Sequence, residues 1–126
     1  MKSEEHNIQT ACVTWFRYQY PEYLIFAVPN GGKRDKRTIY RRGVPITYSP
    51  TAAKLKEEGA LAGVADLIIV AHNKTVFVEM KTAKGKQEES QKVFERNVKR
   101  LGHPYLLCHS FDEFQEKVKR ELNFTK

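Results

Sequence analysis

The sequence predicts a single α/β domain, and three observations support this class. The chain has 126 residues, a length at which one domain buries its own core without disulfides or zinc. Apolar residues recur at helical spacing in some segments and form short continuous runs in others. Glycine and proline separate these segments. In order, they predict the elements α-β-α-β-β-α-β-α, with no internal repeat and no low-complexity tract.

Residues 4–19 are predicted to form the first helix. Ser3 is a suitable N-cap, and Glu4 and Glu5 stand in the first turn, where the helix dipole favours acids. Glu5 and Gln9 are one turn apart and therefore share a face. The apolar stripe of this helix consists of Ile8, Ala11, Cys12, Trp15 and Phe16.

Two contrasting segments follow. Residues 23–28 form a continuous apolar run, which predicts a strand covered on both faces. Residues 29–48 are predicted to be a mobile loop, because they open with the breaker Pro-Asn-Gly-Gly and carry a cluster of basic residues. Loops of this length are uncommon unless they are functional or disordered.

The net charge of +7 is concentrated in that loop, where residues 33–42 contain six basic residues and one acid. A local basic patch indicates a polyanionic partner, with nucleic acid first, whereas the alternative is a solvated loop. Lys84 and Lys86 are further candidates for phosphate contacts. Tyr40 and Tyr48 can stack on bases, although packing or dimer contacts explain them equally well. The loop residues expected to bind DNA are Lys33, Arg34, Lys36, Arg37, Arg41 and Arg42.

Residues 63–91 are the centre of the prediction. Residues 66–71 and 75–81 are predicted to form a β-hairpin, joined by a His-Asn-Lys turn and opened by an aspartate. Side chains alternate along a strand, so Glu79 and Lys81 share one face of the second strand. The opposite face carries Val76, Val78 and Met80.

The other elements have local start and stop signals. Ser49–Pro50 predicts a helix start, and residues 88–101 predict the next helix. Residues 104–108 predict a short buried strand, and Ser110 with Glu113 forms a capping box before the last helix. The predicted apolar stripe of helix 88–101 is Gln91, Phe94, Val98 and Leu101.

Several classes of protein are excluded. No apolar run approaches ~20 residues, so we expect no transmembrane helix, and the N-terminus resembles neither a signal nor a transit peptide. Cys12 and Cys108 lie in apolar segments, which indicates reduced thiols of an intracellular protein. The histidines show no zinc spacing with them. Without a glycine-rich phosphate loop, we expect no nucleotide cofactor.

A set of polar side chains is suited to hydrolysis of a nucleic-acid backbone. Converging carboxylates bind hard divalent cations such as Mg²⁺, and a neighbouring lysine offsets charge that develops on phosphorus. Each residue also has a structural explanation, such as the helix dipole for Glu5 or an ion pair for Glu79 and Lys81. The set consists of Glu5, Asp66, Glu79, Lys81 and Gln91.

The pattern Asp66-x₁₂-Glu79-x-Lys81 resembles the PD-(D/E)xK nuclease superfamily and, more closely, the virus-type replication-repair nuclease (VRR-NUC) family. The resemblance covers about residues 4–109, and one departure is Ala65, where the family usually has proline. Each motif is weak alone, whereas all of them in order are fairly specific. The further matching motifs are Glu5-x₃-Gln9, Val28-Pro29-Asn30-Gly31-Gly32, Gly63-Val64-Ala65-Asp66, Val78-Glu79-Met80-Lys81 and Gln91.

The resemblance implies a single nuclease domain over residues 1–126, with a restriction-endonuclease-like mixed sheet. It also implies an α-β-β-β-α-β core flanked by helices, with Mg²⁺ or Mn²⁺ as cofactor. Asp66 and Glu79 would be metal ligands, aided by the carbonyl of Met80. Glu5 would be an outer or second-metal ligand, with Glu4 as the competing candidate.

For the reaction, the resemblance implies a catalytic role for Lys81, and Gln91 would position water, substrate or that lysine. Small stand-alone members of the family look like phage proteins that dimerise and cut branched DNA, which implies the cytoplasm of a bacterial host. We therefore expect an endonuclease acting on junctions or flaps in replication, recombination or repair. The alternative is a non-catalytic nucleic-acid-binding module on the same fold.

Overall fold

The structure, a computed structural model, describes residues 3–29, 37–48 and 50–123, and ten helices and strands lie within these ranges. The helices are α1 (Glu4–Gln19), α2 (Pro50–Glu57), α3 (Glu89–Arg100) and α4 (Phe111–Asn123). The strands are β1 (Leu24–Ala27), β2 (Arg37–Arg41), β3 (Val44–Tyr48), β4 (Leu67–Ala71), β5 (Lys74–Met80) and β6 (Tyr105–Cys108).

A mixed four-stranded sheet has the strand order β1-β4-β5-β6. The first three strands are antiparallel, and β6 pairs parallel with β5 after the α3 crossover. Taken with α1 and α3, these strands give the predicted α-β-β-β-α-β core. The strands β2 and β3 form a separate two-stranded sheet.

The two faces of the sheet pack against different helices, as the alternation along β5 predicts. One face contributes Val76, Val78 and Met80 to a core with residues of α1 and α4, among them Phe16 and Phe114. On the other face, the smaller core packs against α3 and consists of Ala65, Val98, Tyr105 and their partly buried neighbours Phe77, Phe94 and Leu107. Helices therefore flank the sheet on both sides.

Local sequence signals correctly predicted where several helices begin. Helix α1 has the predicted bounds, and Ser3 Oγ accepts the N–H of His6 at 3.1 Å as the N-cap. Ser110 Oγ likewise accepts the N–H of Glu113 at 3.0 Å. The side chain of Glu113 in turn accepts the N–H of His109. Helix α2 begins at Pro50, while Ser49 lies outside the described residues.

Strand β1 is not covered on both faces, so this prediction was wrong. Leu24 is 63% and Phe26 is 43% exposed, and only Ile25 is buried. The reason is position, because β1 is an edge strand whose apolar side chains alternate between a covered and an open face. Leu101 was also wrongly assigned to the α3 stripe, since it is the C-cap residue and is 62% exposed.

The mobile loop predicted over residues 29–48 is also incorrect for its described second half. Residues 37–48 form a regular β-hairpin from Arg37 paired with Tyr48 to Arg41 paired with Val44. Arg42 and Gly43 make a two-residue turn with φ of 52° and 78°. Two positive φ angles match the right-handed twist of the strands and fix the pairing register.

Both cysteines are free, and both are fully buried in the core beneath α1 and α4. Burial raises the pKa of each thiol to about 12, because a buried thiolate loses its hydration. Within the described ranges, no helix is both long and apolar enough to span a bilayer.

Candidate functional site

Asp66 stands immediately before β4, on a tightly packed turn. Gly63 has φ of +83°, and a Cβ built there would lie 2.2 Å from the carbonyl oxygen of Ser90. Only glycine lets the chain approach the start of α3 so closely. The turn carries Asp66 to β5, where its Oδ2 accepts the N–H of Met80 at 2.8 Å. One carboxylate oxygen is thus anchored by the neighbouring strand.

Glu79 lies on β5 and is a buried acid, with 1% of its surface exposed. Its Oε2 accepts the side-chain N–H of Gln91 at 2.9 Å. Its Oε1 is buried and lacks a hydrogen-bond donor among the described residues. A buried charge without full compensation is costly, so the described residues do not fully satisfy this carboxylate while it is ionised.

The pKa of Glu79 is raised to about 8, first by burial, then by the charge of Asp66 and by a hydrogen bond that protonated Glu79 makes to it. Lys81 opposes the rise, and Glu5 adds a smaller repulsion. Two neighbouring carboxyl groups resist being charged together unless a cation lies between them. Protonation of Glu79 or a bound cation would relieve this repulsion.

Lys81 follows Glu79 on the same face at the end of β5. Its Nζ lies 3.9 Å from Glu79 Oε2, and its side chain is 17% exposed. The backbone N–H of Lys81 donates to Cys108 O at 2.9 Å, which continues the parallel pairing with β6. The ammonium is therefore held near the carboxylates while it still reaches the solvent.

Gln91 connects the start of α3 to Glu79. Its Oε1 accepts the N–H of the N-cap residue Glu88 at 2.8 Å. Because that N–H can only donate, the amide orientation of Gln91 is fixed and its Nε2 points to Glu79. In the structure Gln91 holds Glu79, and its predicted role in positioning water, substrate or Lys81 stays a prediction.

A cavity of about 330 Å³ opens over these groups and is called the site cavity. Glu5 reaches its wall from α1, so the N-terminal end of the first helix lies beside the strand ends. Glu4 and Gln9 line a neighbouring groove of about 730 Å³, which shares Glu5 with the site cavity. The residues of the site cavity are Glu5, Gly63, Val64, Asp66, Glu79, Lys81, Glu88, Ser90 and Gln91.

Asp66 and Glu79 are the two acids that could hold one divalent cation. Asp66 and Glu79 are close enough to share a proton, and Glu79 offers an unsatisfied buried oxygen. Across residues 3–29, 37–48 and 50–123, however, no three His, Cys, Asp or Glu side chains converge as a ligand cluster. Glu5 therefore lines the site without joining the pair directly. Met80 has a buried side chain, and its carbonyl as a ligand stays a prediction.

The basic residues predicted to bind DNA have mixed positions. Arg37 and Arg41 are exposed on β2, and Arg42 is exposed at the hairpin turn. Lys84 and Lys86 are both exposed on the segment between β5 and α3. Lys33, Arg34 and Lys36 lie outside the described residues.

Two features of the site were not found by sequence reasoning. Glu88 and Ser90 line the site cavity and place the first turn of α3 beside the acids. The spacing Glu88-x-x-Gln91 resembles a capping box and is the local signal for this helix start. The contact of Gly63 with Ser90 joins residues distant in sequence, and no short-range pattern reveals it.

Comparison with known proteins shows the fold. No family model matches the sequence, and no curated protein matches it. A solved structure described as a VRR_NUC domain protein is similar over 98% of this chain and 91% of its own length, with a TM-score of 0.65 and 19% identity. The mixed sheet and flanking helices described above thus share the fold of this VRR_NUC domain protein.

Proposed function

We propose that this protein is a metal-dependent endonuclease that hydrolyses phosphodiester bonds in DNA, with structured or branched DNA as the substrate. The observation that carries the proposal is the buried Glu79, which lies beside Asp66 and Lys81 and has one unsatisfied carboxylate oxygen. A structural ion pair does not need that arrangement, because a buried acid without a full set of partners destabilises the fold.

Asp66 and Glu79 would hold Mg²⁺ or Mn²⁺, and Glu5 would act from the cavity wall as an outer ligand. When bound, the cation would offset the two negative charges and polarise the scissile phosphate. Gln91 keeps Glu79 in place through one hydrogen bond. The ammonium of Lys81 stands where it can orient an attacking water or stabilise charge that develops on phosphorus.

The charge of the chain supports a polyanionic substrate. The net charge is +7, and the exposed arginines of the β2–β3 hairpin provide a positive surface. Such a surface attracts the DNA backbone without reading its sequence. We further propose that two copies assemble, since a multi-armed substrate presents more phosphates than one small domain covers.

One cleavage assay tests the proposal. Purified protein is incubated with plasmid, linear duplex, flap and four-way-junction DNA, each with Mg²⁺, Mn²⁺ or EDTA. Cutting should require the metal and should disappear in Glu79→Gln and Lys81→Met. A matched control is Glu116→Gln, which removes an exposed acid from α4 and should cut as the wild type does.

The alternative is a non-catalytic DNA-binding module. It predicts that the protein binds the same DNA panel but cuts none of it with either metal. Cutting that persists in both site variants would also contradict the proposed chemistry. Sedimentation of the free protein and of its junction complex tests the proposed assembly of two copies.

A further inference from the structure

The β2–β3 hairpin is unusual because both of its faces are open. All ten residues of the two strands are exposed, and no helix or strand of the described chain packs extensively against either face. A two-stranded ribbon is at best marginally stable in water by itself. The hairpin is therefore expected to find a binding partner beyond the described residues of its own chain.

The pairing register divides the hairpin into two chemically different faces. On one face, Ile39 pairs with Ile46, and an arginine pairs with an apolar or aromatic residue on each side of them. The other face carries Thr38 opposite Thr47, with hydroxyls 3.3 Å apart, and Tyr40 opposite Pro45. The first surface is called the arginine face and consists of Arg37, Ile39, Arg41, Val44, Ile46 and Tyr48.

The charge of the hairpin selects among possible partners. Residues 37–48 contain three arginines and no acid. An isologous contact between two copies would place like charges opposite each other, which disfavours that arrangement. Arginines at both ends of an apolar strip, with hydroxyls nearby, instead suit a surface that is lined by phosphates and offers apolar base edges.

We propose that the β2–β3 hairpin is a ribbon that enters the major groove of double-stranded DNA. This inference rests on the proposed function in taking DNA as the partner, and it specifies the duplex as the form bound. The major groove is about 12 Å wide and admits a two-stranded ribbon. Arg37 and Arg41 would contact the phosphates that flank the groove, and Arg42 would contact them from the turn.

The groove geometry predicts which nucleic acids are rejected. A single strand has no groove, and the major groove of duplex RNA is too narrow for side chains to read. Binding is therefore measured by fluorescence anisotropy in EDTA, with duplex DNA, its single strand and duplex RNA of the same sequence. Because EDTA removes cleavage, this measurement does not depend on whether the protein is a nuclease.

Substitutions distinguish binding by the hairpin arginines from attraction by the net positive charge of the chain. Arg41→Gln with Arg42→Gln should weaken binding to duplex DNA and reduce the salt slope by about 0.9 for each phosphate that the protein no longer neutralises. The matched control is Arg120→Gln on α4, an exposed arginine that pairs with Glu116, and it should bind as the wild type does. Circular dichroism of each variant checks that the protein is folded.

The groove is tested directly by dimethyl sulfate, which methylates guanine N7 in the major groove. Bound wild type should protect N7, and Ile46→Thr should reduce that protection. Equal affinity for duplex and single strand, or no N7 protection, would overturn the proposal. A second outcome would also overturn the proposal: Ile46→Thr converts dimers into monomers but leaves the affinity for DNA unchanged. The arginine face would then be a contact between two copies.

Discussion

Gln91 and Glu79 are joined by a hydrogen bond of 2.9 Å that links the first turn of α3 to the middle of the site cavity. The same amide of Gln91 accepts the N–H of Glu88 through its oxygen. One side chain therefore both caps a helix and orients a buried carboxylate. Its two functions can be separated by substitution.

Gln91→Glu keeps an oxygen for the N–H of Glu88 but removes the donor to Glu79. We expect cleavage to fall about 10–100-fold, the range for loss of a residue that orients a ligand. Gln91→Ala should lose cleavage to a similar extent and should also destabilise α3. Equal cleavage by wild type and Gln91→Glu in a single-turnover assay would show that the bond to Glu79 is dispensable.

Glu79→Gln should separate stability from activity. The amide of the new side chain can donate to Asp66 and accept from Gln91, so the folded protein no longer has to take up the proton that the raised pKa of Glu79 requires at neutral pH. We expect the free energy of unfolding in EDTA to rise by about 1–3 kcal/mol, while metal-dependent cleavage is lost. Urea denaturation at neutral pH measures this change. A lower stability of Glu79→Gln would mean that the charge of Glu79 stabilises the fold.

Glu5 and Glu4 offer a matched pair of substitutions. Both are exposed acids in the first turn of α1, but only Glu5 lines the site cavity. Glu5→Gln should reduce cleavage about 10–100-fold, whereas Glu4→Gln should retain it. Because both changes alter the helix dipole interaction alike, the thermal stabilities of the two variants should match. The reverse order of activities would assign the cavity role to Glu4.

Gly63→Ala should be far more damaging than a glycine replacement elsewhere. The new Cβ meets the backbone of Ser90 at 2.2 Å, and φ is +83°. We expect a loss of about 3 kcal/mol or more in the free energy of unfolding. The control is Gly102→Ala, with φ of +91° and open space around the new Cβ. There only the backbone strain remains, about 1–2 kcal/mol. Similar losses would argue against the close packing.

Glu113 should make stability sensitive to acid. Partial burial opposes ionisation, but the N–H of His109 and the ammonium of Lys117 hold its pKa below the ordinary value of 4.5. The carboxylate thus stabilises the folded state at pH values above 4.5, and this stabilisation is lost as pH falls through the folded pKa. Glu113→Gln should cost about 1 kcal/mol at neutral pH, and the difference should shrink in acid.

Denaturation of wild type and Glu113→Gln across an acidic pH series measures that difference. Glu116→Gln, an exposed acid of the same helix, should change stability by less than about 0.5 kcal/mol. A gap between wild type and Glu113→Gln that stays constant with pH would exclude the charge as its cause.

Sequence reasoning worked best where the signal is local. The bounds of α1 follow from its N-cap and from a five-residue apolar stripe, and both signals lie within the helix segment itself. The hairpin at 37–48 was missed although both sides of Arg42–Gly43 are rich in Thr, Ile, Val and Tyr, residues that favour strands. The preceding glycines and the dense positive charge suggested a loop instead.

The site depended on contacts that a sequence does not state. Asp66, Glu79 and Lys81 could be grouped because one hairpin holds them, and the alternation of β5 places two of them on one face. That Gln91 bonds Glu79, and that Glu5 reaches the same cavity, follows from how α1 and α3 pack on the sheet. The exposure of β1 likewise depends on its place at the sheet edge.

The two buried cysteines have a practical consequence. A thiol with a pKa of about 12 and no exposed surface is almost entirely un-ionised at neutral pH, so alkylating reagents react with it very slowly. A single cysteine introduced at Thr47 on the exposed hairpin would then be the preferred site for a maleimide dye. The natural chain is thus a ready background for site-specific labelling, in which fluorescence reports where the ribbon lies when DNA is added.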